Sequence, residues 1–320
     1  MTPEQRKRAS VDLTLTYFRS YFQEWRLTKV LTIEKLIDER YEFYDSMLPE
    51  IEEWGEQYGT ATIAQEIHNG LYHDAIAQCI QYIEDLFALM EASKKKDYFV
   101  RNIVTYKAGK ITDKIKSYKA IKSNIVRDFY IPEVQLPDSK DQQKIDEGID
   151  KLIGLVEDQV KFYYKYWFFY NQYKHGLAVP MRPFGNIYNK EQVENDKRGE
   201  MTPYVVAYDN LNIKDAMAKG RAGFKMGIMM PGFTDDVRPF IGKLEQENNF
   251  LRFVFPPDTP NFNIELLVDQ SYKTRACISI LIGNYVQKID PTNDMRLFRL
   301  PLDYRDNSAL NCSYKIEDDL

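Results

Sequence analysis

Cysteine, histidine and glycine are scarce in this chain of 320 residues, which has three Cys, three His and 15 Gly, with 14 Pro. Cys79, Cys277 and Cys312 are odd in number and far apart, so they match neither a disulfide framework nor the paired spacing of a zinc site. Such usage fits a reducing, cytoplasmic compartment. So little Gly and Pro excludes collagen-like and low-complexity classes. Long apolar runs are also missing: the cleanest, Ile278 to Gly283, falls far short of the roughly 20 residues that cross a bilayer. The basic start Arg6-Lys7-Arg8 lacks the apolar stretch that a signal peptide requires, so no membrane partner is expected. No phosphate-cradling glycine loop, dinucleotide fingerprint, nucleophile elbow or paired-histidine metalloprotease motif occurs, which argues against enzymes built on them.

What is present is apolar and aromatic. Hydrophobic residues make up 44%, with 23 Tyr and 18 Phe, enough for a sizeable core. Through residue 176 apolar side chains recur at three- and four-residue steps, the period of a helix with one buried face. Pro3 suits a first helical turn, followed by a stripe of Val11, Leu15, Phe18, Phe22 and Trp25. A second helix is expected after Thr32, and a third after Thr60, where Ile63 through Met90 holds the period longest. A fourth spans about Asp97 to Tyr130 and stops before Pro132. The fifth runs from Pro137 to His175 with Ile145, Ile149, Leu152, Val156, Tyr163, Trp167 and Tyr170 inward, and Gly176 caps it.

The fold expected is mainly α: an antiparallel bundle of long helices over 1–176, a linker loop over 177–201, and a smaller α+β region over 202–320 packed against the bundle. In that last region Tyr204–Tyr208, Phe224–Met229, Leu251–Phe255 and Phe262–Val268 read as strands, and Asp235–Asn248 and Ser271–Lys288 as helices.

The net charge of −5 hides an asymmetry. Eleven basic residues lie between Lys94 and Arg127 against only Asp97 and Asp113, so this segment carries +9 and the rest −14. On one continuous helix Val104, Ile111, Ile115, Tyr118, Ile125 and Phe129 share an apolar arc, Arg101, Lys116 and Lys119 lie beside or opposite it, and Lys114 and Lys122 fall inside it. Such a face is either solvated and balanced by acids such as those of Glu50–Glu56, or it contacts phosphates. Arg101, Lys107, Lys110, Lys116 and Lys119 are the candidate phosphate contacts, with Tyr98, Tyr106 and Tyr118 as candidate stacking partners for unpaired bases.

Chemistry has fewer candidates. His68 and His73 point to different sides of the third helix and cannot grip one metal as an i, i+4 pair does, so Glu66, His68, His73 and Asp74 read as a polar helix face; no metal or cofactor is expected. At the end of the fifth helix Trp167, Asn171 and His175 follow one another four apart along one edge, with Lys174 beside them. An imidazole there titrates near neutral pH, and an adjacent ammonium holds an oxyanion. Lys-His-Gly is equally an ordinary helix end, with basic residues complementing the dipole.

Long helices with an aromatic-rich last helix ending Tyr170-Asn171-Gln172-Tyr173-Lys174-His175-Gly176 resemble the HEPN-like (higher eukaryotes and prokaryotes nucleotide-binding) helical proteins of bacteria, over about residues 60–176. That resemblance implies a homodimer, a toxin–antitoxin or antiphage setting, and either metal-independent RNA cleavage or binding of nucleotides, RNA or proteins. His175 matches the histidine of the family's nuclease motif. The arginine that precedes it in the family has no counterpart, since Phe168, Phe169 and Tyr170 stand in the permitted positions. The leading expectation is therefore a non-catalytic module for RNA or another phosphate-bearing ligand. One alternative is a ribonuclease with His175 as acid or base, Lys174 as electrostatic stabiliser and Asn171 as orienting partner. The other is a protein-binding or structural module whose basic helix docks on an acidic protein or on a second copy of this chain.

Overall fold

The computed structural model describes residues 1–39, 63–94, 98–132, 139–174, 246–247, 250–251, 264–290 and 295–315. Among these the chain is mostly helical: α1 (Pro3–Ser20), α2 (Trp25–Asp38), α3 (Ile63–Ser93), α4 (Phe99–Val104), α5 (Ala108–Ser117), α6 (Lys122–Asp128), α7 (Ser139–Lys174) and α8 (Ile264–Ile289). Short strands β1 (Gln246–Glu247) and β2 (Phe250–Leu251) precede α8, and β3 (Met295–Asp303) and β4 (Ser308–Lys315) follow it. None of the described helices is long and apolar enough to cross a membrane.

Local chemistry sets the helix ends. Thr2 accepts the Gln5 N–H at 3.2 Å while the Gln5 side chain accepts the Thr2 N–H at 2.8 Å, a capping box that starts α1 with Pro3 in its first turn. α3 buries Ile76, Ala77, Leu86, Phe87, Ala88, Leu89 and Ala92, residues that point around most of its circumference, as a core helix does. α7 buries one stripe, Ile145, Ile149, Leu152, Val156, Tyr163 and Tyr170, with Trp167 partly exposed.

The chain divides into two compact units cut across the long helices: residues 1–27, 81–161 and 269–320, and residues 28–80 and 162–268. In the first, β3 and β4 form an antiparallel hairpin with Phe298 opposite Cys312 and Leu300 opposite Leu310. It packs on α7, where an added Cβ on Gly148 would lie 2.9 Å from Leu300 Cβ. The buried Arg275 of α8 donates to the Tyr304 and Arg305 carbonyls at 2.9 and 2.7 Å, fixing the hairpin turn. Gln159 of α7 accepts from Gln270 and Thr274 of α8 in a buried polar cluster. In the second unit Tyr173 donates to Asp74, its ring lies 5.3 Å from that of His73, and the Cys79 thiol donates to the Leu267 carbonyl at 3.3 Å. β1 pairs antiparallel with β2 there.

Several expectations are corrected. The single helix over Asp97–Tyr130 is three short helices, because Lys107, Tyr118 and Ile121 have extended backbones. Three β-branched residues, Ile103, Val104 and Thr105, weaken the first junction, and the Thr105 hydroxyl turns back to the Arg101 carbonyl at 2.7 Å. One straight rod would also have stacked like charges three residues apart across the break at Tyr118, as at Lys116 and Lys119. Val104, placed in the apolar arc, is exposed, as are Phe22 and Trp25, because α1 ends at Ser20 and the stripe breaks there. α2 starts at Trp25, ahead of Thr32. Ile264–Val268 opens α8 where a strand was expected; a short apolar run does not separate a strand from a buried helix turn. Gln246 and Glu247 pair as strand where a helix was expected, and the β3–β4 hairpin was not anticipated. His73 is fully buried, at odds with a polar face. Tyr204–Tyr208, Phe224–Met229 and Glu50–Glu56 lie outside the described residues.

Candidate nucleic-acid interface

The basic segment is partly neutralised by acids, some adjacent in sequence and some distant. Lys94 meets Glu91 at 2.5 Å and Lys114 meets the same carboxylate at 3.2 Å. Arg127 holds Asp128 with two hydrogen bonds of 2.8 and 3.1 Å, with Lys94 at 3.9 Å from it, and Lys122 meets Asp146 at 2.8 Å. Burial raises the Asp128 pKa, but the Arg127 hydrogen bonds and the charges of Lys94, Arg127 and Lys114 outweigh it, and the carboxyl sits below its ordinary value. Each of these four cations thus has an acidic partner, with Lys122 and Arg127 remaining at the surface.

Arg101, Lys107, Lys110 and Lys119 instead lie exposed, and Lys116 is half-buried, with burial lowering its pKa against the pull of Asp113. Arg101 lines a groove of about 520 Å³ between α4 and the first half of α1, together with Arg6, Lys7, Leu13, Tyr98 and Val100. The contact of α1 with α4 brings the two ends of this set together. Tyr98 is 57% exposed, and the Arg101 guanidinium lies 6.0 Å from its ring centroid. A second cavity of about 390 Å³ borders the other end of α4, lined by Phe22, Trp25, Val104 and Tyr106 over a floor where Arg26 donates to Asp85 at 3.1 Å. Trp25 is 49% and Tyr106 48% exposed, so flat aromatic faces flank α4 on both sides. Aromatic rings beside exposed cations are what a single strand needs: rings take bases, cations take phosphates.

Tyr118 does not belong to that set. It is buried, its ring edge-on to Phe87 at 5.2 Å, and burial pushes its pKa up. Its place in the apolar arc with Ile111, Ile115 and Ile125 agrees with this burial, and its candidacy as a stacking ring is corrected. Lys107, Lys110, Lys116 and Lys119 line neither cavity; Lys107 is exposed next in sequence to Tyr106. Arg6, Lys7, Phe22 and Trp25 were missed as site residues. The basic triplet at the chain start was the available signal for the first two; nothing local marked the aromatics as exposed.

At the end of α7, Lys174 is exposed, Asn171 lies on the helix, and His175 lies outside the described residues. Among the described residues no group of three or more His, Cys, Asp or Glu is placed to hold a metal ion. No protein-family model, curated protein or solved structure matches the chain.

Proposed function

We propose that this chain is a non-catalytic RNA-binding module that takes single-stranded RNA across the α1–α4 surface. Tyr98, Tyr106 and Trp25 offer stacking faces, and Arg6, Lys7, Arg101 and Lys107 offer phosphate contacts. The observation that carries this reading is the division of the basic segment: Lys94, Lys114, Lys122 and Arg127 are held by acids, whereas Arg101 and Lys107 stay exposed beside exposed aromatic rings. The likeness of residues 170–176 to HEPN-like proteins agrees with an RNA ligand.

Fluorescence anisotropy of a labelled single-stranded oligonucleotide tests it. Affinity is expected to fall steeply with salt, by about 0.7 in log–log slope for each phosphate neutralised. Arg101→Glu with Lys107→Glu is expected to weaken binding at least ~10-fold, and Tyr98→Ala ~5–160-fold, from about 1–3 kcal/mol per stacked base. Binding that ignores both changes, or no binding at low salt, rejects the reading. Cleavage of the RNA in chelator, lost in His175→Ala, would move the assignment to the ribonuclease alternative.

A further inference from the structure

A different cavity of the first unit, about 380 Å³, opens between the end of α6, the last turns of α8 and the β3–β4 hairpin. Three cationic residues line it, Arg127, Lys288 and Arg296, and among the described residues lining it none is acidic. Asp128 offsets the Arg127 charge, so the cationic groups that this wall places toward an anion are Lys288 and Arg296.

Two further features single out this wall. Among the described residues the Arg296 Nε is buried without a hydrogen-bond partner, and buried donors in folded proteins nearly always have one. α6 ends with the Ile131 N–H on the Val126 carbonyl at 3.0 Å and Tyr130 in the left-handed region at φ 55°, a position that favours glycine. Tyrosine there keeps a ring that glycine would lack. The Lys288 ammonium lies 4.3 Å from the centroid of that ring, which is anchored by its hydroxyl donating to Ser93 at 2.9 Å. A non-glycine residue held in this conformation at the rim of a cationic cavity is the sort of local strain that marks functional positions. Arg127 gives two N–H groups to Asp128, and a guanidinium has five. Apolar and aromatic wall is also present, from Phe298 and Tyr314.

We propose that this cavity is a binding site for a small organic phosphate, its phosphate group held between Arg296 and Lys288 and its organic part against Phe298 and Tyr314. A guanidinium beside an ammonium suits a dianionic phosphate, through directional donors from one and a point charge from the other. The cavity exceeds a bare phosphate and falls within the usual range for small ligands, about 300–1,000 Å³. This proposal is independent of the RNA surface: it uses none of Arg6, Lys7, Tyr98, Arg101 or Lys107.

Isothermal titration of the full chain with phenyl phosphate, inorganic phosphate and phenol tests it. Phenyl phosphate is expected to bind, phenol not to bind, and Arg296→Gln and Lys288→Gln each to weaken phenyl phosphate at least ~10-fold, with Arg296→Lys restoring part of the loss. Inorganic phosphate binding ~10-fold more weakly would identify an organic phosphate as the ligand class; equal binding of the two anions would overturn the organic half of the proposal. Arg101→Glu is expected to leave phenyl phosphate binding unchanged, so failure here and failure of the RNA reading are separable. No binding of either anion to wild type overturns the site, as does unaltered binding by Arg296→Gln with a wild-type circular dichroism spectrum.

Discussion

Asn284 of α8 and Arg299 of β3 hold each other by a two-way pair: the Arg299 N–H donates to the Asn284 side-chain oxygen at 2.6 Å, and the Asn284 amide donates to the Arg299 carbonyl at 3.0 Å. The side-chain amide stands in for a neighbouring strand. The same amide nitrogen also donates to the Phe129 carbonyl at 3.0 Å, so one buried asparagine joins α8, the hairpin and the end of α6.

Asn284→Leu removes those partners together. Each buried polar group left unpaired costs about 1–3 kcal/mol, so a loss of at least ~2 kcal/mol is expected. Asn284→Asp is expected to be no better, since it turns the donor that faces two carbonyls into an acceptor. Urea unfolding followed by circular dichroism measures this, and an unshifted midpoint in Asn284→Leu would contradict it.

Two glycines of α7 are expected to respond with opposite signs. A Cβ on Gly148 would sit 2.9 Å from Leu300 Cβ, an atom close to the backbone of β3 that cannot swing away. Gly148→Ala is expected to cost ~1–3 kcal/mol by overpacking. A Cβ on Gly154 meets nothing within 4 Å, so Gly154→Ala is expected to stabilise by up to ~1 kcal/mol through helix propensity. Thermal melts of the two variants, run side by side, check the signs.

Acid is expected to unlock the junctions of α3 with α5, through Glu91 and Lys114, and with α6, through Lys94 and Asp128. Burial raises the pKa of Glu91, but its hydrogen bond to Lys94 and the Lys94 and Lys114 charges prevail, leaving it below its usual value, as for Asp128. A carboxyl lowered in the folded state adds stability above its unfolded value and loses it as pH falls through the folded one. Stability is therefore expected to hold above about pH 5 and to fall below about pH 4, near ordinary carboxylate values. Glu91→Gln is expected to flatten that fall, measured as urea midpoints across pH; a slope matching wild type would count against the assignment.

Tyr118 and Tyr98 are expected to separate stability from binding. Tyr118→Ala empties a core position against Phe87 and is expected to cost ~3–5 kcal/mol, by analogy with large aromatic truncations. Tyr98→Ala removes an exposed ring and is expected to leave the melting temperature nearly unchanged while weakening RNA binding. Melting and anisotropy on the same two preparations decide between the roles.

The long helices were legible because their reason is local and repeated. Ile63 to Met90 in α3 and Ile145 to Tyr170 in α7 carry the helical period through many turns, so one misplaced residue does not alter the reading. The basic segment failed where the signal is short. The apolar arc places Tyr118 beside Ile115, and its ring is indeed buried edge-on to Phe87, so its second reading as a stacking ring fails; Val104 looks apolar wherever it lies, yet is exposed. The site suffered most, since Arg6 and Arg101 join one groove from positions far apart in the chain.

By itself the sequence determined that the protein is mainly helical, where its strongest helices run, and that its positive charge is concentrated between Lys94 and Arg127. Backbone periodicity and composition are properties of neighbouring residues. Only the tertiary structure decided which of those charges are spoken for, by setting Glu91, Asp128 and Asp146 against four of them and leaving Arg101 and Lys107 beside Tyr98 and Tyr106. Ion pairing falls off within a few ångströms, and distance in space is what a sequence does not carry.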